Sequence, residues 1–133
     1  MKSIKVFLVI LSLSLFSISC EKDKHIPPNV SLKTGAGYTS GDTAVSQGAQ
    51  ITVGFVAEKT EDELKMFNVS YAFDDATTTT TDTTFTLTSA EEEHYEKDYT
   101  FTTRNQAGTE KWIFTITDRD GNIAQKQVVL TVQ

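Results

Sequence analysis

Beyond Pro28 the chain shows no run of apolar residues at helical spacing. Apolar and polar side chains alternate instead over short stretches, and residues two apart share one face of a strand. Val30 and Leu32 open the series. Ile51, Val53, Phe55 and Ala57 follow, then Phe67, Val69, Tyr71 and Phe73, then Phe85 and Leu87. Tyr99, Phe101 and Thr103, then Trp112, Phe114 and Ile116, and finally Val128, Leu130 and Val132 complete it. Turn-forming clusters stand between them: Gly35-Ala36-Gly37, Gly41-Asp42, Asn105-Gln106-Ala107-Gly108 and Asp120-Gly121-Asn122. These residues supply the backbone angles that reverse a chain. Seven short strands over residues 29–133 predict one all-β domain, an antiparallel β-sandwich. Thr60-Glu61-Asp62-Glu63 and Ser89-Ala90-Glu91-Glu92 each match a capping box and predict two isolated helical turns.

The first nineteen residues follow a different pattern. Lys2 and Lys5 precede Val6 to Ile18, which is apolar apart from serines. That stretch is shorter than the roughly 20 residues a membrane span needs and has the layout of a secretory signal. Ser17-Ile18-Ser19-Cys20 resembles the lipobox of bacterial lipoproteins, with Ser17 where Leu is usual. The resemblance implies that residues 1–19 are a lipoprotein signal peptide and that Cys20 is lipidated. It also implies that residues 20–28 are a tether. Several acyl chains on one cysteine give stable membrane anchoring, which one chain does not. No Asp follows Cys20 at the next two positions, so the enterobacterial inner-membrane retention signal is missing. The charged stretch Glu21-Lys22-Asp23-Lys24 resembles the surface-export signals of Bacteroidota lipoproteins. The expectation is an exported outer-membrane lipoprotein, facing the periplasm or the cell surface.

A second resemblance lies at the other end. Gly108 to Ala124, with its aromatic-Thr alternation followed by Thr117-Asp118-Arg119-Asp120-Gly121-Asn122, is similar to the last two strands of PKD and related bacterial immunoglobulin-like domains. Trp112 stands where that family often has Tyr. The resemblance implies an immunoglobulin-like seven-stranded antiparallel β-sandwich of the kind found as modules in surface lipoproteins, glycan-binding ones included.

Composition narrows the function classes. The chain has 133 residues, 12 of them basic and 18 acidic, for a formal charge of −6. Loss of the signal removes two of the basic residues and no acid, so the remainder stands at −8. With no basic cluster to meet phosphates, nucleic-acid binding is excluded. One cysteine excludes an internal disulfide and a cysteine zinc site. No nucleophile elbow, phosphate loop or His-Glu-x-x-His helix is present, and neither His25 nor His94 has a nucleophile at a readable spacing. The expectation is no enzyme and no resident cofactor.

In immunoglobulin order, the loops joining strands two–three, four–five and six–seven share one pole. Half of the 18 acidic residues fall there: Glu58, Glu61, Asp62, Glu63, Glu91, Glu92, Glu93, Asp118 and Asp120. The tether enters at the same end. Two readings stay open for this pole. One is a set of solvated loops that keep the protein soluble. The other is a calcium site drawing on Asp118, Asp120, Glu91 and Glu61, because hard cations take oxygens from converging loops. The opposite pole is Gly-, Ser- and Thr-rich, with Thr77 to Thr81 read as a flexible loop or a ligand surface. Asp42-Thr43-Ala44 and Asp82-Thr83-Thr84 resemble the O-glycan acceptor motif of exported Bacteroidota proteins, which would make Thr43 and Thr83 acceptors, both at the distal pole. The alternation places Asn68, Ser70, Ile113, Thr115, Gln127 and Val129 on one outward sheet face, a candidate contact site. Together these features predict a membrane-anchored, non-enzymatic binding or adhesion module with a protein or glycan partner. The alternative is a structural or accessory subunit of an envelope assembly such as a fimbria or a glycan-uptake complex.

Overall fold

The computed structural model describes residues 22–133. The signal segment and Cys20 lie outside the described residues. Eight strands follow in chain order: β1 (Asn29–Leu32), β2 (Thr43–Val45), β3 (Gln50–Glu58), β4 (Leu64–Phe73), β5 (Thr80–Thr86), β6 (His94–Thr102), β7 (Gly108–Asp118) and β8 (Ile123–Val132). They form a three-stranded sheet, β1-β3-β6, facing a five-stranded sheet, β2-β8-β7-β4-β5. That order is an immunoglobulin-like sandwich. The seven strands read from the alternation are all present. The eighth, β2, is three residues long and runs parallel to β8, too short for alternation to announce it.

The two sheets meet through the residues that the alternation points inward. Val53, Phe55, Ala57, Phe67, Val69, Phe114, Ile116, Val128 and Leu130 have no exposed surface. Phe67 is central, with ring centroids 4.8 Å from Phe55 and 5.3 Å from Tyr95. Trp112 stacks on Phe101 at 3.8 Å. Burying one large apolar side chain contributes about 2–3 kcal/mol, so this aromatic column dominates cohesion.

The fourth strand departs from the expected order. β5 pairs with β4 in the larger sheet, and β6 is left as an edge of the smaller one. The strip Thr80-Thr81 belongs to β5, so only the first part of the threonine run is loop. Between the free edges of β5 and β6, side chains form a latch. The Tyr99 hydroxyl donates to Asp82, and the Lys97 ammonium lies 4.7 Å from the Phe85 ring centre. Asp82 is available because the register slips there: Val69 faces Thr83 but Ser70 faces Thr81. The extra residue makes a β-bulge.

Neither expected helical turn forms. Thr60 instead donates its hydroxyl to the carbonyls of Ile26 and Pro27, so its oxygen serves the tether. The second box is displaced by one residue: Glu91 accepts from both the backbone N–H and the hydroxyl of Thr88.

Candidate functional site

The outer face of the five-stranded sheet is assembled by register. Asn68 pairs with Thr115, and Thr115 with Gln125. One step along, Ser70 pairs with Ile113, and Ile113 with Gln127. The next row is Ala72, Lys111 and Val129. The register makes all six residues expected on an outward face neighbours, but Ser70 is itself buried, at 7% exposed. Their polar groups are held in place, since Asn68 donates to Thr84 Oγ1 at 2.9 Å and Gln125 donates to Thr115 Oγ1 at 2.9 Å. These rows carry no carboxylate, and Lys111 is their one charge. At its distal end the face dips into a hollow lined by Ala72, Asp75, Ala76, Thr109, Lys111 and Val129.

The outer face of the smaller sheet is opposite in character. Lys33 crosses it to reach Glu96 at 3.0 Å and Asp98 at 2.9 Å. It can do so because position 54 is glycine; a Cβ there would lie 2.7 Å from the Lys33 side chain. Hydrogen bonds from Lys33 and then Tyr38 hold the Asp98 carboxyl below its ordinary range. His94 stands between Glu58 at 2.5 Å and Glu96 at 3.0 Å. The hydrogen bond to Glu58, then that to Glu96, raises its pKa above the ordinary 6.5.

The acidic pole is built from the loops as expected, with backbone bonds tying them together: Lys59 to Glu93, Leu64 to Glu92, and Arg119 to Glu63. The four residues named for calcium do not converge there. Asp118, 1% exposed, turns inward and accepts from the backbone of Asp120 and Asn122 and from the Asn122 side chain. It forms the hairpin turn. Glu91 is bound to Thr88. Glu61 accepts the N–H groups of Lys24 and Ile26, docking the tether. Asp120 alone of the four enters a carboxylate cluster, and its companions are Asp23 and Asp62.

The two threonines read as O-glycan acceptors have different settings. Thr43 is exposed at the start of β2, where Asp42 accepts the N–H of Val129. Thr83 is half-buried midway along β5, opposite Val69. It is therefore not at the distal pole, because β5 runs alongside β4 instead of looping beyond it.

One important group went unread in the sequence. Glu110 is fully buried. It accepts from the Arg104 backbone at 2.8 Å, the Arg104 Nε at 3.3 Å and the Trp112 indole at 3.1 Å. Arg104 also pairs with Asp74 at 2.9 Å and sits 3.9 Å from the Phe73 ring centre. The alternation held the signal, since Glu110 is two residues before Trp112 and so faces inward.

No protein-family model matches the chain, and no curated protein matches it. Among solved structures, murine CRIg is similar at 10% identity and a TM-score of 0.42, over 79% of this chain and 98% of that one. A chain from the crystal structure of a CaDoc0917–CaCohA2 complex is similar at 11% identity and a TM-score of 0.38, over 79% and 100%. Likeness at this level carries no inference about this chain. The architecture rests on its own strand order.

Proposed function

We propose that this chain is a non-catalytic lipoprotein module, anchored through Cys20, that binds a protein partner with the outer face of its five-stranded sheet. The observation that carries the reading is the contrast between the two sheet faces. The chain is acidic, yet the rows around Ile113 hold no carboxylate. The opposite face is crowded with ion pairs. Cores of protein interfaces are depleted of charged residues, and in these rows Lys111 is the one ion that a partner would have to desolvate. A protein partner is preferred to a glycan because no aromatic ring lies in these rows to stack on a sugar; Trp112, Tyr71 and Phe114 all face the core. The anchor places the acidic pole toward the membrane and the neutral face to the side, where a neighbour in the envelope can reach it.

Affinity capture from the native envelope with the full chain and with Ile113→Arg tests this. The wild-type chain should retain a defined protein that Ile113→Arg loses while melting at the same temperature. Equal capture by both chains would move the contact elsewhere.

A further inference from the structure

The segment ahead of β1 is pinned to the acidic pole by more than chain connectivity. Pro28 is buried, Glu61 accepts the N–H groups of Lys24 and Ile26, and Thr60 donates to Ile26 and Pro27. This brings Asp23 against the loop before β4 and the hairpin after β7. One carboxylate oxygen each from Asp23, Asp62 and Asp120 lies within 4.8 Å of the others. The geometry points to a calcium ion bound by these three carboxylates, clasping the tether to the sandwich.

Two observations beyond the cluster itself support the site. Asp62 is 7% exposed. Its Oδ1 takes the Arg119 guanidinium at 3.0 Å, while its Oδ2 is buried with no hydrogen-bond partner among the described residues. A buried carboxylate oxygen without a donor is costly, and a cation supplies what it lacks. The local charge is also unbalanced. Arg119 is paired with Asp62 and with Glu63 at 3.1 Å, and it reaches Asp120 only at 3.7 Å, so one guanidinium faces three carboxylates and Asp23 adds a fourth negative group to the cluster.

The choice of ion follows from spacing and ligand type. Calcium bonds to oxygen at about 2.3–2.6 Å, so oxygens on opposite sides of one ion lie ~5 Å apart. It tolerates irregular sets completed by carbonyls and water, whereas magnesium demands near-ideal octahedral geometry at shorter distances. Three carboxylates on loops suit the weaker class of calcium sites, with dissociation constants on the order of 10⁻⁴–10⁻³ M. This inference is independent of the sheet-face reading, and either can fail without the other.

The test uses the full chain purified in detergent, stripped with EDTA and titrated with calcium chloride, with Trp112 fluorescence following thermal unfolding. At about 10 mM calcium the midpoint should rise by roughly 5 °C. Tryptic cleavage after Lys22 and Lys24 should slow several-fold. Asp23→Asn should abolish both effects while melting at or above the wild-type midpoint in EDTA, since it relieves the crowding of the three carboxylates. Asp120→Asn should melt at or above the wild-type midpoint in EDTA, because a repulsion is removed, and below it in calcium. No calcium shift, an equal shift with magnesium, or a shift undiminished in Asp23→Asn would each overturn the proposal.

Discussion

Glu110 shows what a single inward-facing polar residue commits a fold to. Its carboxylate is out of water, yet both oxygens are supplied with donors: the Arg104 backbone and side chain and the Trp112 indole. Removing one member of such a buried set leaves the others unsatisfied. Glu110→Ala should therefore cost about 3 kcal/mol, read as a lower urea midpoint by Trp112 fluorescence. Asp74→Ala should cost far less, because Asp74 is half-exposed and water replaces it. His94 sits at the other extreme, exposed between two glutamates. Its folded pKa is raised above the ordinary 6.5 by the hydrogen bonds to Glu58 and Glu96. The protonated form is thus favoured by folding. Its contribution is complete below about pH 6.5 and is lost as pH rises through the higher folded value. The wild-type melting temperature should fall relative to His94→Gln between about pH 6 and pH 9. A constant difference across that range would show that the ion pairs do not persist in solution.

At the scale of elements, alternation predicted strands well wherever one face is buried, as in β3, β4, β7 and β8. It could not choose the sheet for β5, because that choice depends on partners distant in the chain. The burial of β5 is slight: Thr83 and Phe85 alone turn from solvent. The capping boxes misled for a local reason: Thr60 gives its hydroxyl to the tether and Glu63 its carboxylate to Arg119, while the second pair forms one residue earlier, between Thr88 and Glu91. Asp118 is the sharper case. Asp-x-Asp-Gly-Asn reads equally as a cation loop or as a turn, and only the inward position at the end of β7 decides. Its side chain holds three donors of the β7–β8 hairpin. Asp118→Ala should lower stability by about 1–2 kcal/mol, and by the same amount in EDTA as in calcium. Asp118→Asn keeps one acceptor oxygen and should lose less. Thermal unfolding of both variants in the two buffers measures this. A loss confined to the calcium buffer would restore Asp118 as a ligand.

The whole molecule is asymmetric in a way that no strand shows alone. The carboxylates gather at the pole the tether enters and on the outer face of the three-stranded sheet, leaving the five-stranded sheet with a neutral exterior. The sequence carried the acidic pole and the outward rows around Ile113, because loop order assigns poles and alternation assigns faces; the charged exterior built by Glu96 and Asp98 went unread. The sequence did not carry the pairing of Asp23 with Asp62 and Asp120, which needs the tether folded back on the loops. The asymmetry also makes a prediction about binding. Association through charged surfaces weakens as salt screens the charges over a Debye length of about 8–10 Å near physiological ionic strength. Contact through the rows around Ile113 has little charge to screen. Affinity for the captured partner should therefore change less than about threefold between low and high salt. Reversing a charge on the opposite face with Glu96→Lys should leave it intact, provided the variant melts normally. Titration of immobilised full chain at both ionic strengths separates the cases. Collapse of binding in high salt, or its loss in Glu96→Lys, would assign the contact to the charged face, and the neutral sheet would then be only a well-packed surface.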